Sequence, residues 1–413
     1  MDYRTFGALE YNLRPNRRHL RPTDEMPAPN PPIPLSQPDI TRTEIDAVTD
    51  VLHTSTLTNG SKLDHFEGVC ARLAGRRHGI GVSSGTGALH LALLAAGVGE
   101  GSEVITTPFS FVASTNCILY VGANPVFADI DPMTLNLDVA KVEAAITPKT
   151  KAIIAVEAFG HPGGMVELEQ MAQRHELVLI DDACEGFGGY VTTQSGPRPI
   201  GSFGRVGVFS FYPNKQITAG EGGMIVTDDD TFTVACRALR NQGREGTAWL
   251  SHERLGWNYR MSELNAALGW AQCTRLDEIL AARRRVAHHY MERLMTNRFL
   301  ILPTLEDTTQ LSWFVFVVRL NDLFESGDRD KVMHQLREEG IGCNNYFPPI
   351  HLQPYMVERF GYKGGEMPVC EYVSARTLAL PFFGGMTYQQ VERVCSTLER
   401  LLEKMLVGRK GRF

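Results

Sequence analysis

From Gly79 to Asp181 short β-rich runs alternate with stretches of helical periodicity, and no other feature constrains the fold as strongly. The runs are Gly79 to Ser83, Glu103 to Thr106, Pro125 to Ile130, Ala152 to Val156 and Leu177 to Asp181. The helical stretches between them are Gly87 to Ala96, Phe111 to Tyr120, Asp138 to Ile146 and Met165 to His175. Strands joined through helices return in the same direction, so the alternation predicts an α/β fold. Its sheet is expected to be mostly parallel, flanked by helices, with ligands at the carboxyl ends of the strands.

The rest of the chain is organised around that block. Residues 1–32 mix arginines with Pro15, Pro22, Pro27, Pro29, Pro31 and Pro32, which reads as an N-terminal arm unable to bury enough apolar surface to order itself. Two helices follow, one opening at Asp39-Ile40-Thr41 with Ile45, Val48, Val51 and Leu52 on one face, the other from Lys62 to Ala74. A long helical region from Ser262 to Thr296 reads as a bridge. Beyond it lie a strand (Trp313 to Leu320), a helix (Arg329 to Glu339), a proline-rich loop at 346–354 and a last helix from Tyr388 to Leu406. The expected division is arm 1–32, large domain 33–260, and bridging helices with a smaller α+β domain over 261–413.

Composition narrows the partners. With 413 residues and 43% hydrophobic residues the chain can bury large cores, and its formal net charge of −6 supplies no basic field for nucleic acid or an acidic membrane. No run is long and uncharged enough to span a bilayer. The eight cysteines form no CxxC pair, which fits free thiols in a reducing cytoplasm. No HExxH or clustered ligand spacing suggests a metal.

Lys215 is the residue most clearly placed for chemistry. Val206 to Phe211 reads as a strand, Tyr212-Pro213-Asn214 breaks it, and Ala219 to Gly223 turns the chain into a second strand from Met224 to Thr227. In an apolar pocket desolvation favours the neutral amine, the form that attacks an aldehyde. Ser83-Ser84-Gly85-Thr86-Gly87 joins a strand to a helix, so free N–H groups and close backbone approach offer a phosphate site, to which Ser210 can add a hydroxyl. Asp181 and Asp182 end a strand, where a buried carboxylate needs a cation such as a pyridinium nitrogen. An ordinary helix cap is the alternative. Phe109 and Phe111 can present an aromatic face to a planar ring, and His161 ends another strand.

In this order, SSGTGALHLAL, TTPFSFVAS, PVFADIDPMTLNLD, FGHPGGM, DDACEGFG, FSFYPNKQITAGEGGMIVTDD, GWNYRMSELNAALG and YFPPIHLQPY resemble the DegT/StrS sugar aminotransferase family. These are fold-type I pyridoxal 5′-phosphate (PLP) enzymes, aspartate aminotransferase-like in fold, and the resemblance runs from about Ile33 to the C-terminus. It implies that Lys215 carries the cofactor, Asp182 partners the pyridine nitrogen and Phe111 stacks on the ring. Gly85, Thr86 and Ser210 would hold the phosphate, and Asn258 would reach the phosphate of a neighbouring subunit's cofactor in a homodimer with shared sites. Glu185 stands where many members have glutamine, beside the ring or its 3-hydroxyl. His161, Arg244, Arg260 and His351 are candidates for substrate contact. Gly87 replaces a frequent alanine, and the arm has no counterpart.

The reaction implied is a ping-pong transamination. L-Glutamate or L-glutamine gives its amino group to the cofactor, leaving pyridoxamine 5′-phosphate, which aminates a keto sugar, expected to be nucleotide-linked in the family's manner. A dehydratase branch replaces the lysine by histidine; Lys215 here favours transamination. A non-sugar cyclic ketone of the inosose kind and a catalytically silent binding relative remain as alternatives. An NAD-binding dehydrogenase does not fit, because no GxGxxG follows the first sheet strand.

Overall fold

The computed structural model describes residues 31–245 and 251–410. The expected N-terminal arm therefore lies, up to residue 30, outside the described residues. Helices α1 (Arg42–Leu52) and α2 (Ser61–Leu73) lead into β1 (His78–Val82), α3 (Gly85–Ala95), β2 (Glu103–Thr106), α4 (Ala113–Tyr120) and β3 (Asn124–Phe127). Then come α5 (Val139–Ala144), β4 (Thr150–Val156), α6 (Met165–Arg174) and β5 (Val178–Asp182). A hairpin of β6 (Tyr190–Thr193) and β7 (Gly196–Pro199) precedes β8 (Val206–Ser210), β9 (Gly223–Thr227) and α7 (Asp230–Arg240).

The central sheet has seven strands in the order β1-β9-β8-β5-β4-β2-β3. Pairings from β8 through β5, β4 and β2 to β3 are parallel, and β9 alone is reversed, antiparallel to both β1 and β8. The mostly parallel α/β sheet read from the alternation is thus the observed one. Apolar clusters cover both faces: α3 and α7 side chains pack with Ile80, Val82 and Ile154 on one, and α6 packs with Ile105, Ile153 and Leu179 on the other.

The C-terminal part contains α8 (Glu263–Thr274), α9 (Leu276–Leu294), β10 (Leu300–Ile301), β11 (Thr309–Gln310), β12 (Phe316–Leu320) and α10 (Asp328–Glu338). It ends with α11 (Pro354–Phe360), α12 (Pro368–Ser374), β13 (Thr377–Leu380) and α13 (Tyr388–Lys410). Strands β10, β12 and β13 form a three-stranded antiparallel sheet whose core is shared with α9, α10 and α13. Ile33 belongs to this core through a bridge to Ile341, while Ala266, Leu276 and Ile279 join Leu63 and Phe66 beside the large sheet. Packing thus runs in both directions across the division at 260/261.

Three local expectations differ from the structure. The single helical region from Ser262 breaks at Arg275, whose guanidinium bonds Asp39, Glu44 and Glu278 instead of continuing one rod. That contact also turns α1: Val51 and Glu44 are buried, whereas Ile45 and Leu52 are exposed. Burial works against the Glu44 charge, but hydrogen bonds from Thr41, Arg275 and Gln272 outweigh it and hold its carboxyl at about 2. The expected strand from Trp313 begins only at Phe316. Trp313 takes a positive φ of 56°, which sends its ring into the C-terminal core and its neighbour Phe314 toward the large sheet.

Candidate active site

A cavity of about 640 Å³ opens where the carboxyl ends of the central strands meet the C-terminal part. The strand-end loops supply Ser84, Gly85 and Thr86 after β1, Phe111 after β2, Asp182, Cys184 and Glu185 at and after β5, and Ser210, Asn214 and Lys215 at and after β8. The opposite wall is Phe314, Asn344, Asn345, Tyr346, Phe347 and Pro348.

The Lys215 loop is held at both ends and in its middle. Ser210 pairs with Gly223, Phe211 N–H donates to Gly222 O (2.9 Å) and Lys215 N–H to Tyr212 O (2.9 Å). Next to the lysine, Gln216 Nε2 donates to Glu185 O (2.6 Å) and Ser312 Oγ (2.7 Å), tying the loop to both parts of the molecule. Lys215 Nζ, with its side chain 13% exposed, lies 3.6 Å from Glu185 Oε1 and 4.0 Å from the centroid of the Phe314 ring. Glu185 is itself oriented by Phe159 N–H, which donates to Oε2 (2.8 Å). Burial raises the Glu185 carboxyl, and the Lys215 charge and that N–H bring it back in part.

Asp182 is buried, and among the described residues its carboxylate is bonded by Cys184 alone, whose N–H gives a long bond to Oδ1 (3.4 Å). Burial pushes its carboxyl up, against the opposing pull of the Cys184 bonds and the Lys215 charge. A carboxylate in this setting has unused acceptor capacity on a cavity wall. At the other end, α3 starts with Ser84 as N-cap, its Oγ accepting from Gly87 N–H (3.1 Å), so the Gly85 and Thr86 N–H groups point out of the helix start. Glycine is required here by contact: a Cβ on Gly85 would sit 2.8 Å from Ser210 Cβ, and one on Gly223 only 2.4 Å from Ser84 O. Phe111 is 63% exposed on the cavity, a large apolar ring left unpacked by the protein.

The structure therefore brings Lys215, Asp182, Glu185, Gly85, Thr86, Ser210 and Phe111 to one cavity. The remaining sequence candidates lie elsewhere. His161 is buried in a separate cavity of about 50 Å³ with Trp313 and Arg319, its Nδ1 accepting from Gly163 N–H (3.0 Å), and burial lowers its pKa. His351 is fully buried, with Nε2 3.0 Å from Glu371 Oε1, and Glu366 completes that cluster. Asn258 bridges Asn241, and Arg260 Nη1 donates to Asn241 Oδ1 (3.0 Å); neither these nor Arg244 lines the cavity of their own chain. Sequence reasoning passed over Phe314, Asn344, Asn345 and Asn214. The available signal was the Asn344-Asn345 amide pair just before the aromatic and proline run.

The fold and this cavity define an aminotransferase of the kind that uses a lysine and an aspartate around one planar cofactor. The chain belongs to the DegT/DnrJ/EryC1/StrS aminotransferase family, whose sequence model matches residues 38–399. It is 38% identical over 375 residues to GDP-perosamine synthase from Caulobacter vibrioides, a match covering 90% of this chain and 99% of that relative. Among solved structures, DesV of S. venezuelae superposes with a TM-score of 0.83 at 31% identity, covering 90% of this chain and 98% of that one. Spr1654 of Streptococcus pneumoniae, in its PLP form, gives a TM-score of 0.85 at 25% identity over 90% of this chain and 99% of that chain.

The residues present fit PLP. An amine, an under-used buried carboxylate, an unpacked aromatic ring and a helix start kept open by glycine match its aldehyde, ring nitrogen, ring face and phosphate in turn. Among the described residues no helix is long and apolar enough to cross a membrane.

Proposed function

We propose that this chain transfers an amino group from L-glutamate or L-glutamine to a nucleotide-linked keto sugar, by a ping-pong route, in a homodimer whose sites are shared. The observation that carries the reading is the placement of Lys215 Nζ and the Asp182 carboxylate on one cavity that also ends in the open start of α3. PLP is the cofactor; when bound it supplies an aldehyde for the amine and an electron-withdrawing ring. Asp182 holds the ring nitrogen in its protonated form, Gly85, Thr86 and Ser210 hold the phosphate, and Phe111 covers the ring face. Lys215 Nζ takes the proton from the α-carbon of the donor and returns one to the carbon that becomes aminated in the acceptor. Glu185, 3.6 Å away, keeps that amine oriented within the site.

Charge supports the shared site. Among the described lining residues Asp182, Glu185 and Glu221 are acidic and Lys215 is the sole base. A donor carboxylate and a sugar diphosphate both need positive partners, which Arg244 and Arg260 can supply and which Asn258 can supplement at the phosphate from the other subunit. The names of the relatives also favour an amino-sugar product: GDP-perosamine synthase is one of them.

The test is direct. PLP-loaded protein is incubated with L-glutamate or L-glutamine and a panel of keto sugars with and without a nucleotide, plus a cyclic polyol ketone, and products are read by mass spectrometry. An amino sugar formed only on the nucleotide-linked ketones is the expected result; product from the polyol ketone alone sinks the sugar assignment. For the shared site, Lys215→Ala subunits mixed with Asn258→Ala subunits should gain activity on exchange, since each hybrid then holds one site without lesions. Activity fixed at the mean of the parents, with exchange demonstrated, would place Asn258 in its own chain's site.

A further inference from the structure

The carboxyl ends of β4 and β5 hold a group of acids that the transfer leaves unused. Glu157, the residue after β4, is fully buried, and neither oxygen of its carboxyl has a hydrogen-bond partner. Its N–H donates to Asp182 O (3.2 Å), and the register sets Ala155 beside Asp181 and Val156 beside Asp182. Asp181 is also fully buried. Its Oδ2 accepts from Gly201 N–H (3.0 Å) and Phe203 N–H (3.2 Å), but Oδ1 has no partner. Three acceptor oxygens on two neighbouring strands are thus enclosed without a donor among the described residues. A side chain cannot enter beside Glu157 from Gly186, where even a Cβ would lie 2.8 Å from Glu157 Oε2.

Two carboxylates enclosed in this way repel one another and leave three oxygens unanswered, whereas a single proton converts one orphaned acceptor into a donor. We propose that Glu157 is a carboxylic acid at neutral pH and acts as a positioning residue, its O–H donating toward the unpartnered Oδ1 of Asp181, so that no further anion stands behind Asp182 and Asp182 stays the anion facing the cavity. The electrostatics run the same way. Burial, then repulsion from Asp181 and Asp182, raises the Glu157 carboxyl well above its ordinary range, and burial brings Asp181 up to about 7 against the N–H bonds of Phe203 and Gly201 and the Arg76 charge. The other charges facing the cluster are Lys215, which attracts Asp182 and Glu185, and Glu185, which lies across from Asp182. None of them is hydrogen-bonded to Glu157.

The protonation of Glu157 stands by itself; its effect on the cofactor rests on the assignment of Asp182 proposed above. Infrared difference spectra of the holoenzyme, wild type against Glu157→Gln at neutral pH, should show a carboxylic-acid C=O stretch that the variant lacks. A carboxylate difference in its place overturns the proposal. The second measurement is the pH midpoint of the bound cofactor's visible band in Glu157→Gln and Glu157→Leu. Glutamine keeps an N–H donor and adds no charge, so its midpoint should match the wild type. Leucine removes the donor, lets Asp182 take up the proton itself and should lower the midpoint by on the order of one pH unit. A midpoint equally lowered in Glu157→Gln means that Glu157 acts as a charge, and an unmoved midpoint in Glu157→Leu means that it positions nothing; either overturns the proposal. If the band ignores Asp182→Asn while the infrared result holds, the cofactor assignment has failed and the buried acid has not.

Discussion

The two walls of the cavity are built on opposite principles. On the sheet side the functional groups sit within a few residues of a strand end and, the Phe111 ring apart, are charged or aimed at charge: Lys215, Asp182, Glu185 and the α3 start, in loops held by backbone hydrogen bonds. On the C-terminal side the wall is neutral. Phe314 stacks near-parallel to Tyr346 (6.3 Å, 9°), Tyr346 on Phe347 (4.9 Å, 2°) and Phe347 on Phe159 (5.5 Å, 20°), and beside this stack stand the amides of Asn344 and Asn345. A charged, rigid wall suits steps common to every substrate. Aromatic faces and neutral amides suit a polyhydroxy ring, which offers hydroxyls and C–H faces but no charge. The difference separates chemistry from acceptor choice, and variants on the two walls should fail differently.

The largest effect is expected at Lys215. Replacing it by alanine removes the only amine on the described walls, and turnover should fall by on the order of 10⁴-fold in both half-reactions. Borohydride treatment of the wild-type holoenzyme followed by peptide mapping should find the cofactor on Lys215, and a label on another lysine would break the assignment of the sheet wall.

Asp182→Asn comes next. It keeps shape and removes charge, so turnover should drop by about 10²- to 10³-fold with both substrates affected alike. The stability effect has the opposite sign. Burial raises the folded carboxyl above its unfolded value of about 3.9, so the folded chain holds the extra proton and the cofactor-free protein loses stability as pH rises through that window. Asp182→Asn removes that loss. Calorimetry of the cofactor-free proteins should therefore show the variant gaining on the wild type from acid to neutral pH; a gap independent of pH would mean that Asp182 is not carrying a buried charge.

The sheet wall was largely legible in the sequence because each element of it is local. A strand followed by Ser-Gly-Thr-Gly, by Asp-Asp or by Tyr-Pro-Asn-Lys declares both its end and the group placed there. The C-terminal wall was not. Phe314 faces Lys215 only because Trp313 takes a left-handed conformation, and Asn344 is set by its backbone exchange with Ala379 of β13, a four-residue strand too short to show as a pattern. His161 and His351 illustrate the converse: residue type suggested ligand contact, but each sits at a strand or loop end turned into packing, one on Gly163 N–H and one on Glu371. The hairpin of β6 and β7 was missed because Thr193 to Pro199 reads as loop composition, and its pairing with β11 comes from far along the chain. The buried face of α1 was misread for a related reason: Glu44 is drawn inward by Arg275, which no periodicity reveals.

The smallest effect is the most selective. Asn345 lines the neutral wall, while the neighbouring Asn344 is already committed, its Oδ1 accepting from Asn345 N–H (3.0 Å) and Arg337 Nη2 (3.3 Å). Asn345 is therefore the amide free to meet a substrate hydroxyl. Asn345→Ala should remove one neutral hydrogen bond, about 1 kcal/mol or roughly fivefold in kcat/KM for the acceptor. The donor half-reaction, followed by single-turnover absorbance without acceptor, should be unchanged, because the carboxylates of the proposed amino-acid donor would call for cations and not this amide. Phe314→Leu makes the complementary case: it withdraws the ring from above Lys215 Nζ, so it should slow both halves, by roughly twofold to tenfold for a cation–π contact of this kind. Should Asn345→Ala weaken donor and acceptor equally, the division of labour between the walls fails, and acceptor choice would have to reside in other residues, such as those the proposed partner subunit would bring.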